Sequence, residues 1–248
     1  MELKALVNYT RQLLELERYT DYCPNGLQVQ GRAEVKKVVS GVTASMALLE
    51  AAKDAGADAV LVHHGYFWKG EDASIVGLKR NRIKFLLENN MSLLAYHLPL
   101  DGHQTLGNNA QLGKLLEINL TGWTGNQNIL AQGELAQAQS LQDFTMHLTT
   151  KLGRAPLVIG QPDKVLRQIA WCTGGAQGYM QEAIDLGVDA FISGEISEQT
   201  VHLARESGVA YIAAGHHATE RYGVQALGSH LAEHFGIVHS YIEIDNPV

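Results

Sequence analysis

Apolar positions along the chain follow two alternating rhythms. Leu3, Leu6, Val7 and Leu14 recur at helical spacing and predict an amphipathic first helix. The segment "DYCPNGLQVQG", with Pro24, Gly26 and Gly31, breaks that rhythm and reads as irregular. Beyond it "VKKVVSGV" is strand-like, "SMALLEAAKDAG" is helical with Ser45 as cap and Gly56 as stop, and "ADAVLV" is a short buried strand. A helix, "RIKFLLENN", and a strand, "SLLAYH", follow. The second half repeats the order: strand "RQIAWCT", helix "GYMQEAIDLG", strand "VDAFIS", helix "SEQTVHLARESG" capped by Ser197, strand "VAYIAAG". This succession predicts an α/β fold with largely parallel or mixed sheets covered by helices.

The halves share residues as well as rhythm. "DAGADAVLVHH" (54–64) lies without a gap over "DLGVDAFISGE" (185–195), a shift of 131 positions that matches Asp54 with Asp185, Gly56 with Gly187, Asp58 with Asp189 and Ala59 with Ala190. One supersecondary unit written twice is the expected origin, so the chain is read as two similar halves from an internal duplication. The expected boundaries are residues 1–122 for the first half, 123–165 for a connecting segment and 166–248 for the second half. The connection contains "GWTGNQN", a helical stretch over 141–152 ended by Gly153, and the strand-like "APLVIG".

Chemistry concentrates where strands end. The buried run in "LVHHGYFWKG" stops at His63 and His64, followed by Gly65, which allows a turn that brings both rings into one cleft. The next strand end offers His97, Asp101 and His103, and "AAGHHATE" offers His216 and Glu220, with a helix expected to begin near Ala218. Imidazoles mixed with carboxylates suit zinc, manganese, iron or nickel, and Glu220 or Asp101 can bridge two ions as an imidazole cannot. His97 reads as a residue that orients a ligand through its other ring nitrogen. Glu195 occupies the strand end matching His64, and it or His202 can line the same cleft. His217 stays open between ligand and bystander; His230 and His234 read as a solvated helix face, and His147, His202 and His239 as ordinary structural histidines. The glycine-rich "CTGGAQG" can bring backbone amides to an anion. No G-x-S-x-G elbow, P-loop or dinucleotide fingerprint is present.

Composition narrows the setting. The 248 residues are 46% hydrophobic and 18% charged, enough for a proper core in one large or two small domains. Cys23 and Cys172 are too few for a disulfide framework, which points to a reducing cytoplasm. No apolar run suits a membrane span, and "MELKALVNYT" lacks the marks of a leader. A net charge of −7 opposes capture of nucleic acid by the whole surface, and the one dense basic stretch, Lys79, Arg80, Arg82 and Lys84, reads as a solvated helix start.

Taken together, "DYCPNGLQVQG", "GVTAS", "ADAVLVHHGYFWKG", "HLPLDGHQTLGNNAQL", "VDAFISGEISEQT" and "AAGHHATE" resemble the GTP cyclohydrolase 1 type 2 homologs, the Nif-three-like family, over nearly the whole chain. The resemblance implies a two-metal centre in the cleft between the halves, held by His63, His64, Asp101, His216 and Glu220, with Glu220 touching both ions. It also implies a hexameric ring of dimers and the short form of the family, without an inserted domain. The expected function is a dinuclear metal-dependent hydrolase that opens the imidazole ring of a guanine nucleotide and releases formate, with Glu195 or His97 moving protons. The rival expectation is a metal-stabilised ring that binds nucleic acid or protein without turnover.

Overall fold

A computed structural model describes all residues 1–248. In chain order the helices are α1 (Leu3–Leu13), α2 (Met46–Asp54), α3 (Gly77–Glu88), α4 (Leu98–Gly102), α5 (Asn108–Leu115), α6 (Leu141–Leu152), α7 (Met180–Asp185), α8 (Glu198–Ser207), α9 (His216–Thr219) and α10 (Arg221–Phe235). The strands are β1 (Gly26–Val29), β2 (Lys37–Thr43), β3 (Ala59–His64), β4 (Ser92–Ala95), β5 (Ile118–Thr124), β6 (Leu130–Ser140), β7 (Leu157–Ile159), β8 (Val165–Trp171), β9 (Ala190–Ser193), β10 (Ala210–Ala213) and β11 (Val238–Tyr241). Packing divides the chain into two compact units, one of residues 1–100 and 223–245, the other of residues 101–222 and 246–248. No helix is long and apolar enough to cross a membrane.

The first unit is built on a five-stranded sheet in the order β1-β4-β3-β2-β11. Strands β4, β3, β2 and β11 run parallel and β1 closes one edge antiparallel to β4. Val39, Val60, Val62, Leu93 and Ala95 from these strands pack with Leu48, Leu49 and Ala52 of α2 and Ile83 and Leu86 of α3. Ser45 caps α2 as expected, its Oγ accepting from Leu48 N at 3.3 Å.

The second unit has a six-stranded mixed sheet in the order β5-β6-β8-β9-β10-β7. Its centre, β8-β9-β10, is parallel; β6 and β5 on one side and β7 on the other are antiparallel. Trp171, Ile169, Ile192 and Ile212 pack with Phe144, Leu148 and Leu152 of α6. Residues 123–165, expected as a connection, supply β6, α6 and β7 to this sheet and core, so packing draws the boundary elsewhere. Residues 223–245 lie with the first unit because β11 pairs in parallel with β2, Val238 opposite Lys37. Ser197 precedes α8 but does not cap it: its hydroxyl bonds Thr200 Oγ1 at 2.7 Å instead of a backbone N–H.

Both units anchor the start of their parallel strands in the same way. In the first, Asp58 Oδ2 accepts from Lys36 N and Lys37 N at 2.7 and 2.9 Å. In the second, Asp189 Oδ2 accepts from Arg167 N and Gln168 N, both at 2.8 Å. The paired aspartates and the backbone groups they bind are separated by the same 131 positions seen in the sequence.

Candidate functional site

In the first unit the chemistry gathers at the carboxyl ends of β3 and β4. His63 and His64 are both still in the strand, yet their ring centroids are only 4.6 Å apart, with His97 at 5.1 and 5.8 Å from them. Gly65 therefore does not provide the turn expected of it. A Cβ at Gly65 would stand 2.2 Å from Gln28 Oε1 and 2.5 Å from Ala95 Cβ, so its role is to let β3 press against its neighbours. His63 is fully buried, and its Nδ1–H donates to the Tyr96 carbonyl at 2.9 Å. A carbonyl only accepts, so Nε2 carries the lone pair of that ring. His64 Nδ1 lies 3.2 Å from Thr43 Oγ1. His63, His64 and His97 each present a ring nitrogen within 4.8 Å of the others, close enough for one cation.

His97 is held by a residue that sequence reading passed over. Asp21 Oδ1 meets His97 Nδ1 at 2.7 Å, while Asp21 Oδ2 accepts from Leu98 N at 2.9 Å and Asn25 Nδ2 at 2.8 Å. Burial raises the Asp21 carboxyl, but the His97 bond and charge, with the Asn25 and Tyr22 donors, outweigh it and hold Asp21 below the ordinary carboxylate range. Asp21, Cys23 and His97 form a second close group of potential ligands. Burial and the Asp21 charge push the Cys23 thiol up to about 12, so it stays protonated. The sequence signal for Asp21 was available in "DYCPNG", where an acid sits beside a turn.

In the second unit the donors are carboxylates around one imidazole. His216 opens α9, two residues earlier than the expected helix start at Ala218, and Glu220 directly follows that helix. His216 Nδ1 lies 2.8 Å from Glu195 Oε1 and its Nε2 lies 3.2 Å from Glu220 Oε2. Burial works against a charged ring here, but Glu220 and then Glu195 overcome it and raise His216 to about 9. That field favours any cation at Nε2, proton or metal. Asp101 is buried, its Oδ1 accepting from Asn108 Nδ2 at 2.9 Å and Thr173 Oγ1 at 3.2 Å, and it offers a carboxylate oxygen within 4.8 Å of one from Glu220. The "CTGGAQG" loop spends its amides internally: Thr173 N donates to Asn109 Oδ1, Gly174 N to Thr219 Oγ1 and Ala176 N to Ser193 Oγ. It supports the site as a wall: a Cβ on Gly174 would stand 2.0 Å from Glu220 Oε1.

The remaining histidines divide differently from expectation at one place. His230 and His234 are packed against α1, His230 Nε2 at 2.7 Å from Tyr9 OH and His234 stacked on the Tyr9 ring at 4.0 Å. His103 Nδ1 accepts from Leu106 N at 3.0 Å, and His202 lies 3.2 Å from Glu198 on the exposed face of α8. His147 lies beside Phe144, and His239 Nε2 is 2.8 Å from Ser40 Oγ.

A model of the Duf34/NIF3 (NGG1p interacting factor 3) family matches residues 1–247. A Pseudomonas aeruginosa protein named GTP cyclohydrolase 1 type 2 homolog is 56% identical over 250 residues, covering 99% of this chain and 98% of that protein. An Escherichia coli protein of the same name is 49% identical over 247 residues, with 99% and 98% covered. Among solved structures, a protein described as ybgI, of unknown function, matches with a TM-score of 0.96 at 48% identity over the whole of both chains. TTHA1606 from Thermus thermophilus matches with a TM-score of 0.90 at 31% identity, again over the whole of both.

Proposed function

This chain belongs to the Duf34/NIF3 family, and from that premise we propose that it is a metal-dependent hydrolase with a dinuclear centre. On this reading His63, His64, Asp101, His216 and Glu220 hold two divalent ions, zinc, manganese, iron or nickel, with Glu220 shared between them. The observation that carries it is the setting of His216, pinned at Nδ1 by one carboxylate and facing another with Nε2. A metal-ligating histidine characteristically has its second nitrogen fixed in this manner, and His63, tied to the Tyr96 carbonyl, has the same tautomeric preparation. A bound divalent ion lowers the pKa of water toward neutrality and polarises an electrophile.

The chain's own groups would then do the rest. Glu195 holds the His216 ring in place and is exposed enough to exchange a proton with solvent. His97, with Nδ1 committed to Asp21, offers Nε2 as the other proton carrier. The substrate we propose is a guanine nucleotide whose imidazole ring is opened with loss of formate, the activity that the relatives' name suggests. The assembly we propose is a hexameric ring in the cytoplasm. The second reading is a metal-stabilised ring that binds protein or nucleic acid without turnover; the burial of His63 and Glu220 favours it, because closed sites are the structural ones.

Elemental analysis of purified protein, followed by a formate assay on GTP with manganese or zinc, tests the proposal. Two metal ions per chain and formate release are the expected results. Metal without product from any nucleotide would favour the scaffold, and no bound metal would remove both readings.

A further inference from the structure

Arg154 sits in the short connection between α6 and β7 and is partly buried. Its side chain makes no hydrogen bond and no ion pair, and its Nη1 is sealed from solvent without an acceptor. That is unusual for a group with a permanent charge and five donors, because an unmet buried donor costs stability. Arg11, Arg32 and Arg167 are more exposed, and each is paired with a carboxylate.

The place is as telling as the missing partner. The guanidinium covers Gly215, the residue immediately before His216. A Cβ at Gly215 would stand 2.3 Å from Nη1 and 2.8 Å from Cζ, and the φ of +104° is itself one that side chains rarely adopt. Glycine here makes the turn into α9 and leaves the space the guanidinium fills. The carboxylates of the neighbourhood, Glu195 and Glu220, are directed to His216 and leave the arginine charge unneutralised. An arginine kept at the shoulder of a candidate ligand, with its fork unspent, is prepared for an anion that the protein does not itself contain.

We propose that Arg154 is a phosphate-binding residue of the His216 and Glu220 site, receiving phosphate oxygens of the ligand. The inference rests on the preceding reading only in taking these two residues to face the substrate.

The test is calorimetric titration of the full-length protein with inorganic phosphate, in metal-loaded and chelator-stripped forms. Wild type is expected to bind phosphate in both forms. Arg154→Met, which keeps the aliphatic stem, should lose roughly tenfold or more in affinity, and Arg154→Lys should recover part of the loss. Arg154→Gln is measured alongside, so that a folding defect in one variant does not decide the matter, and metal content and thermal midpoint are recorded for each. Acetate should bind at least about tenfold more weakly than phosphate, since one carboxylate presents fewer oxygens to the fork. Equal phosphate affinity in wild type and the neutral variants overturns the proposal, as does equal affinity for acetate or no phosphate binding at all. Absence of metal sinks the hydrolase reading and leaves the stripped-form comparison intact, so the two failures are distinguishable.

Discussion

His216 is the residue at which opposing demands are balanced most closely. Burial disfavours a charge on the ring, and two carboxylates favour it strongly enough to prevail. Glu195 also fixes which nitrogen is presented, since a carboxylate accepts from Nδ1 and leaves Nε2 for Glu220 or a metal. Glu195→Gln retains a polar contact but removes the charge. Metal affinity is expected to fall about 10- to 100-fold, read by competition with a chromogenic chelator; an unchanged affinity would make Glu195 a bystander. A different histidine sets a pH limit. Burial lowers His239 below its ordinary value of 6.5, with its ring against Ser40 and Gly228. The unfolded chain therefore takes up this proton more readily than the folded one. Its stabilising contribution is full above about pH 6.5 and is lost as pH falls toward the depressed folded value. Urea denaturation of His239→Asn between about pH 7 and pH 5 should show a shallower decline in stability than wild type. Parallel slopes would mean that His239 titrates alike in both states.

At the scale of elements, two aspartates hold the starts of the parallel strands. Asp58 is buried and serves Lys36 N and Lys37 N, with Arg32 Nη1 at 2.7 Å; Asp189 is more exposed and serves two backbone donors without a matching guanidinium. Asp58→Ala should cost about 2–4 kcal/mol in chemical denaturation, and Asp189→Ala less, because charge-assisted bonds lose value with exposure. Equal costs would show that Arg32 adds nothing. These aspartates were visible in the sequence as part of the 131-position match, although their bonds to backbone were not. The βαβ runs, the cap at Ser45 and helix α6 were legible because hydrophobic period and capping chemistry agree there. Strand β6 was not. Its sequence, "LAQGELAQAQS", is rich in helix-favouring residues, and pairing with β5 and β8 decides its conformation from outside the segment. The start of α9 at His216 was missed because no capping side chain precedes it; Gly215 makes the turn by backbone conformation alone.

For the whole molecule, the candidate site was legible as a set of donor types and illegible as a set of orientations. Paired histidines and acids at strand ends announce metal chemistry, but which nitrogen each ring offers depends on Tyr96, Asp21 and Glu195, residues distant in sequence from the rings they hold. Five ligands drawn from residues 63 to 220 would be brought together only by folding, so a metal that they share must bind the folded chain far better than the unfolded one. Free metal at a hundredfold over its dissociation constant then adds about 2.7 kcal/mol to stability. For a chain of this size, that corresponds to a rise in Tm of roughly 5–10 °C. Wild type dialysed against a chelator should melt lower by that amount and recover when zinc or manganese is restored. Glu220→Ala, lacking the carboxylate proposed to serve both ions, should melt at one temperature with or without metal. A wild-type Tm indifferent to metal would mean that these side chains, however suitable their chemistry, do not share an ion in the folded protein.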